Sequence, residues 1–358
     1  MLDGIRIIEI EGLGPGPFAG MMLADLGAEV IVVQRETAPA GTAVDHSLLD
    51  RGKKSVILDL KDTKDRESLI ALVATADALI EGFRPGVMER LGLGPEQFKE
   101  NHPRLVYGRL TGWGQSGPKS HCAGHDFNYA ALSGALWYAS EDDEPPFAPP
   151  TLVSDIGGGA LYLVAGILAA LIKAQRSGIG AVVDAAMVDG SAHMMNLLMT
   201  ARAVGLVGRE RGTSILDGSP WSRCYACADG RWLSVQCLEP KFYMEFRSKL
   251  GVEEDSAFDQ NPNPEKWPAL SAGIAAIIAT KTLDEWSGIF EDSDACAAPV
   301  LNPEESARHP HIAAREIWVD VDGQLQARAA PRFDGQTPGE PLSPPRRGEH
   351  TEEILGSL

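Results

Sequence analysis

The feature that most constrains the fold is an alternation. Between residues 6 and 110, short aliphatic and β-branched runs are separated by stretches with helical periodicity. Residues 6–10, 29–33, 55–58, 78–80 and 105–110 read as strands, and residues 18–26 and 67–74 as helices. Strands joined through helices pair in parallel, because a tight turn returns a chain antiparallel. The pattern therefore specifies βαβ units, a mostly parallel sheet and helices on both of its faces, an α/β fold. It leaves strand order open.

Beyond residue 125 the period becomes helical over 126–139, 158–174 and 184–204, the last carrying Met187, Met194, Met195 and Met199. An acid- and proline-rich loop occupies 141–150. Residues 222–228 and 232–235 flank Asp229-Gly230, a strong hairpin signal, and helical runs follow at 242–250 and 267–280. A second domain is expected from about 215 to 305. A strand at 317–321 precedes a polar, proline-rich stretch at 331–348 that is expected to lie on a surface without regular structure.

Charge and composition exclude some partners. The 358 residues include 50 Asp plus Glu against 32 Lys plus Arg, a formal net charge of −18, which repels nucleic acid and anionic lipid. The longest apolar stretch, 160–172, falls short of the ~20 residues of a membrane helix and reads as a core helix. No basic leader with an apolar run opens the chain, and Gly356-Ser357-Leu358 lacks the basic middle residue of a peroxisomal signal. Five cysteines do not make a disulfide framework. The expectation is a cytoplasmic protein with neither nucleic acid nor membrane as partner.

Several segments are candidates for chemistry. Gly12-Leu13-Gly14-Pro15-Gly16-Pro17 sits where a dinucleotide fingerprint would lie. Pro15 and Pro17 remove donors a pyrophosphate would need, the spacing is wrong, and Gln34-Arg35 follows where a ribose-binding acid belongs. A tight strand-to-helix turn is the better reading. Cys224 and Cys227 form a CxxC, but Cys122, Cys237 and Cys296 stand alone and no second pair exists to complete a zinc site, so no metal is expected. His125 stands at the start of a helix, where the macrodipole disfavours the imidazolium, with Asp126 acting oppositely. Asp155, before Gly157-Gly158-Gly159, opens the most apolar helix, where unpaired N–H groups stabilise a carboxylate and bare backbone admits a ligand. Arg35, Arg51, Lys53, Lys54, Lys61, Arg84 and Arg90 cluster in the first 90 residues of an acidic chain, at strand ends or in βα loops, and suggest an anionic, phosphorylated small molecule.

Taken in order, these segments and a few others resemble a known family. They are Gly12 to Pro17, Leu58-Asp59-Leu60-Lys61, Glu81 to Val87, Leu110 to Gln115, Gly124 to Tyr129, Ser154-Asp155, Asp184 to Ser191, and Leu238 to Tyr243. Through nearly its whole length the chain is similar to the class III CoA-transferases and, within them, to the α-methylacyl-CoA racemases. The resemblance implies a large Rossmann-like domain, residues 1–186 completed by 306–358, linker helices at 187–221, and a small α+β domain at 222–305. It implies a homodimer of interlocked, ring-like chains. It places the acid/base pair on His125 and Asp155, with Glu239 supporting the histidine. Contacts to CoA fall on Arg35, Leu58, Asp59, Leu60, Lys61, Gly82, Arg84, Arg90, Gly124, Asp126, Phe127, Asn128 and Tyr129. No cofactor is implied, since CoA is part of the substrate. The tail after Ala330 matches nothing firmly.

The chemistry follows from the thioester. Its α-proton is acidified because the carbanion delocalises into an enolate, and donors at helix N-termini stabilise the enolate oxygen. Two bases on opposite faces then invert the α-carbon of a 2-methylacyl-CoA by 1,1-proton transfer, His125 serving the (2S) face and Asp155 the (2R) face on the resemblance alone. The alternative within the family is CoA transfer between carboxylic acids, with Asp155 as nucleophile forming a mixed anhydride. Transferases of the family carry a glycine run before the small domain and tend to lack a histidine at position 125; residues 212–219 here have only isolated glycines. A non-catalytic acyl-CoA-binding protein would not need His125, Asp155 and Glu239 together. The acyl group is left open between branched fatty, sterol-derived and aryl-propionyl chains. The methionines of 187–199 offer an adaptable apolar surface, with core or interface packing as the plainer alternative.

Overall fold

A computed structural model describes residues 1–37, 47–139 and 144–358. The chain divides into two compact units, one of residues 1–134, 149–194 and 307–358, the other of residues 135–148 and 195–306. Residues 141–143 of the acid- and proline-rich loop lie outside the described residues.

The first unit is built on β1 (Arg6–Ile10), β2 (Glu29–Gln34), β3 (Lys54–Ile57), β4 (Ala78–Glu81), β5 (Val106–Thr111) and β6 (Val182–Ala186). They form one parallel sheet in the order β3-β2-β1-β4-β5-β6. This is the doubly wound order, and its topological switch lies between β1 and β4. Alternating side chains feed two cores. Ile7, Val30, Ala78 and Val106 meet the Pro15–Asp25 and Leu161–Ser177 helices on one face. Ile8, Ile31, Val33, Val56, Leu79 and Tyr107 meet the Thr63–Val73 helix and Ile354 on the other. Burial on both faces is why these strands read as continuous apolar runs.

The tail completes the edge of the sheet. The His350 Nδ1 accepts from the Ser55 N–H (3.2 Å) and the Thr351 hydroxyl from the Ile57 N–H (3.0 Å), which satisfies donors β3 would otherwise leave open. Before it, Trp318–Val321 and Gln324–Ala327 form a hairpin around Asp322-Gly323. The second of these strands was not expected, although its Asp-Gly turn signal is present in the sequence.

Three local expectations are corrected. Residues 184–186 are not helical: Asp184, Ala185 and Ala186 pair with Arg109, Leu110 and Thr111, so tertiary pairing overrides their poor strand propensity, and helix begins at Met187. The helix expected over 126–139 ends at Ser133, where Gly134 turns left-handed with φ +88°. The apolar helix does not start near residue 158. It runs continuously over Leu152–Ser177, 26 residues, long enough by length and composition to cross a membrane, and its first nine residues are wound as a π-helix. Leu163, Val164, Ile167 and Leu171 on this helix are buried against the sheet.

The second unit contains an antiparallel sheet of β7 (Ser222–Ala226), β8 (Trp232–Gln236) and β9 (Ala297–Pro299) in that order. The Asp229-Gly230 turn joins the first two, with Gly230 at φ +76°. The Pro240–Leu250, Trp267–Ile278 and Leu283–Phe290 helices cover the sheet around Trp221, Tyr243, Phe246 and Trp286. The third strand, Ala-Ala-Pro, is too short and too proline-bearing to read as one in isolation.

Candidate active site

A cleft of about 750 Å³ opens at the carboxyl ends of the parallel strands, where ligands of doubly wound sheets bind. Its walls come from the segments that follow β1, β2, β4, β5 and β6, together with His125, Tyr129 and Asp155.

At its base lies a buried ion pair. The Lys53 ammonium, wholly enclosed, reaches a Glu9 oxygen at 2.7 Å, Asp50 at 3.3 Å and the Pro17 carbonyl at 3.1 Å. Burial raises the Glu9 pKa to about 7 although Lys53 pulls it down, so desolvation outweighs the partner. Beside the switch point, buried Glu81 shapes the next wall. One oxygen accepts from Arg109 Nε (2.8 Å) and the other from the Phe83 N–H (2.7 Å), fixing the loop that presents Gly82 and Arg84. Burial raises the Glu81 pKa, with the Phe83 amide and Arg109 opposing it.

His125 occupies the N-cap position of the Asp126–Ser133 helix, as expected, and its own N–H donates to Asn128 Oδ1 (3.1 Å). His125 is exposed and lines the cleft. Tyr129, one turn on, stands edge-on to Trp113 with ring centroids 4.8 Å apart, and its hydroxyl donates to the Gly124 carbonyl. A Cβ on Gly112 would overlap the Tyr129 ring, which accounts for glycine there.

Asp155 is not a helix cap. It lies inside the π-wound segment, whose N-cap is Thr151. The carboxylate that receives the first-turn amides is that of buried Asp126, whose Oδ1 accepts from the Ser154 N–H (2.7 Å) and the Asp155 N–H (2.9 Å). Asp155 itself is half-buried in the cleft wall, and its pKa is raised from 3.8 to about 6. Burial is the largest cause, the Asp126 charge the next, and His125 works against both.

The glycines after Asp155 also differ from expectation. They serve helix packing. Side-chain carbon on Gly158 would lie 2.7 Å from the Met187 carbonyl oxygen, and on Gly159 it would lie 2.8 Å from Met187 Cγ. The Met187–Met194 helix therefore packs backbone to backbone on this segment, with Ser191 Oγ donating to Ser154 Oγ (2.8 Å).

Of the residues expected at the site, Arg35, Gly82, Arg84, Gly124, His125, Tyr129 and Asp155 line the cleft. Leu58 is core, while Asp59, Leu60, Lys61, Arg90, Asp126, Phe127 and Asn128 are not among the lining residues. Glu239 belongs to the second unit, exposed, immediately before the Pro240–Leu250 helix. Three of the seven residues of the expected basic cluster are structural: Arg51 pairs with Asp25, Lys53 with Glu9, and Lys54 with Glu29. Charged cleft residues that went unnoticed are Glu9, Glu11, Asp50 and Arg347. Arg347 pairs with Glu11 at 2.7 Å and donates to the Arg35 carbonyl at 2.8 Å, and nothing in its proline-rich surroundings signals that role. Cys224, on β7, is exposed, and Cys227, just past the end of that strand, is buried.

The sequence profile described as CoA-transferase family III matches residues 2–351. The α-methylacyl-CoA racemase of Mus musculus is 42% identical over 99% of this chain and 92% of its own. The acetyl-CoA:oxalate CoA-transferase of Acetobacter aceti is 30% identical over 95% of this chain and 92% of its own. Among solved structures, a CAIB/BAIF family protein from Brucella suis superposes with a TM-score of 0.81, at 27% identity, covering 99% of this chain and 98% of that one.

Proposed function

This chain belongs to CoA-transferase family III, and on that premise we propose that it is an isomerase inverting the α-carbon of 2-methylacyl-CoA thioesters. The observation that carries the reading is that one cleft is lined both by an imidazole, His125, and by a carboxyl whose pKa is raised to about 6, Asp155. A group with that pKa can both take and give a proton near neutral pH. The similarity to the mouse racemase, 42% against 30% for the oxalate transferase, favours inversion over acyl transfer.

Inversion in one direction requires a neutral imidazole and a protonated Asp155 at the start. His125 removes the α-proton from one face, the electron pair passes into the enolate, and protonated Asp155 delivers its proton to the other face; the opposite epimer runs the same steps in reverse. A backbone donor at the N-terminus of the Asp126–Ser133 helix, which His125 caps, is proposed for the enolate oxygen. Arg35 and Arg84 are proposed to hold the phosphates of CoA, so that remote binding energy positions the α-carbon. Glu239 is assigned, from the family resemblance, the support of the His125 ring. The reaction needs no cofactor beyond the CoA carried by the substrate. The proposed assembly is the interlocked homodimer of the family, and the proposed compartment the cytoplasm.

The test is proton NMR of each epimer in heavy water. The parent should take up α-deuterium with inversion, without any acceptor acid. His125→Ala should keep slow uptake from one epimer only, with configuration retained, and Asp155→Ala from the other, because each surviving base still removes and returns protons on its own side. Glu239→Gln should slow one face more than the other. Full inversion by Asp155→Ala, or turnover that demands an acceptor acid, would sink the reading.

A further inference from the structure

Asp126 does not line the cleft, yet it is the buried charge closest in connection to the reacting carboxyl. A carboxylate is rarely enclosed without partners, because desolvation is costly. Its partners here are the Ser154 and Asp155 backbone amides, at 2.7 and 2.9 Å through a single oxygen. Both amides belong to the first turn of the π-wound segment, which lacks a capping side chain of its own. Asp126 is also the first residue of the helix capped by His125. One side chain thus ties the backbone that carries one proposed base to the backbone that carries the other.

We propose that Asp126 is a positioning residue for proton transfer, fixing the Asp155 backbone through two amide hydrogen bonds while holding a negative charge behind the Asp155 carboxyl. This rests on the two-base reading of the site. The groups acting on that carboxyl are Asp126 and His125, with Tyr129 from the next turn, and Arg84 reaches Tyr129. On the neighbouring elements, His193 is bound to Tyr162 Oη (2.7 Å), Asp184 accepts from the Gln115 amide (3.0 Å), and Asp189 is exposed. The charge has a function beyond anchoring. A like charge nearby favours the protonated form of Asp155, which keeps it available as a proton donor.

The experiment is Asp126→Asn in the full chain, read by carbon NMR of the Asp155 carboxyl across pH. Asparagine keeps an acceptor oxygen of the same shape and loses the charge. Burial is the larger cause of the rise from 3.8 to about 6, so the Asp126 share is the smaller part, and the Asp155 titration should fall by roughly 0.5–1 pH unit. The acid limb of kcat/KM should move down equally for both epimers, since both directions start from the pair holding one proton, while KM stays within about twofold. A folded variant whose Asp155 titration does not move overturns the proposal, as does a shifted titration with an unshifted kcat/KM profile. Should Asp126→Asn not fold, hydrogen exchange in the unaltered protein decides. Ser154 and Asp155 amides protected like the helix interior support the anchor, and exchange as fast as at exposed Thr151 overturns it. Because carboxyl titration and amide exchange are read without substrate, failure of the racemase reading itself would show separately, as absence of deuterium uptake in the parent.

Discussion

Replacing Asp155 by asparagine is expected to stabilise the protein while abolishing inversion. The carboxyl stands at about 6 rather than 3.8, because burial and the Asp126 charge outweigh His125. A raised carboxyl pKa means that the folded chain binds this proton more tightly than the unfolded chain does. Folding stability therefore falls as pH climbs from about 3.8 to about 6, and the whole cost is present above that. At ~1.36 kcal/mol per pH unit the ceiling is about 3 kcal/mol. Solvent screening at a half-buried site reduces it to roughly 1–2 kcal/mol. Asparagine has nearly the same shape and nothing to ionise. Urea unfolding of variant and parent, compared at several pH values, should show no difference near pH 3.5 and an advantage for Asp155→Asn of roughly 1–2 kcal/mol at pH 7. Glu9, raised to about 7 by burial, contributes the same sign to both proteins and cancels in the comparison. A variant no more stable than the parent at pH 7, or one whose advantage persists unchanged below pH 4, would refute the account.

Other consequences are equally specific. Arg84→Ala should raise KM for an acyl-CoA several-fold and make it less sensitive to salt, whereas Arg90→Ala, outside the cleft lining, should change KM little; equal effects would misplace the phosphate handle. Gly190→Ala would drive a methyl group into the Gly158 carbonyl, so a loss of ~3 kcal/mol or more and displacement of Asp155 are expected, measurable as lowered unfolding midpoint and lowered kcat together. Light scattering should give about twice 38.3 kDa, with dissociation and unfolding coinciding on dilution, because interlocked chains cannot part while folded; a stable folded monomer would remove that assembly.

What was legible in the sequence was what is decided locally. β1, β2 and β4 are buried on both faces and so announce themselves as short apolar runs. His125 and the Asp229-Gly230 turn follow from cap and turn chemistry within a few residues. What was illegible depends on partners distant along the chain. Strand order is a matter of pairing between segments, and β6, made of Val-Val-Asp-Ala-Ala, is a strand because β5 lies beside it. The Asp126 side chain finds amides 28 and 29 residues on, Arg51 reaches Gln326 across 275 residues, and Arg347 reaches Glu11 across 336. A cluster of seven basic residues within 90 positions therefore looked like one ligand site, and acids distant along the chain claimed three of them, Arg51, Lys53 and Lys54. The glycine run after Asp155 was read as room for a ligand. It is room for the Met187–Met194 helix, a distinction that only the packing makes.

The choice between inversion and transfer turns on His125 more than on the environment of Asp155. A nucleophilic aspartate must attack as the anion, so surroundings that favour its neutral form count against transfer. The magnitude is modest, however: with a pKa of about 6, only about a tenth of these carboxyls are protonated at pH 7, which costs a nucleophile almost nothing. For an acid/base pair the same tenth is decisive, because inversion in one direction requires Asp155 to start with the proton. Inversion also needs a second group on the cleft to take the proton from the other face, and His125, the helix N-cap lining the same cleft, is the group available. Transfer has no use for it. The environment of Asp155 is thus compatible with both reactions, and the imidazole in the cleft is what makes inversion the economical explanation of a carboxyl tuned to about 6.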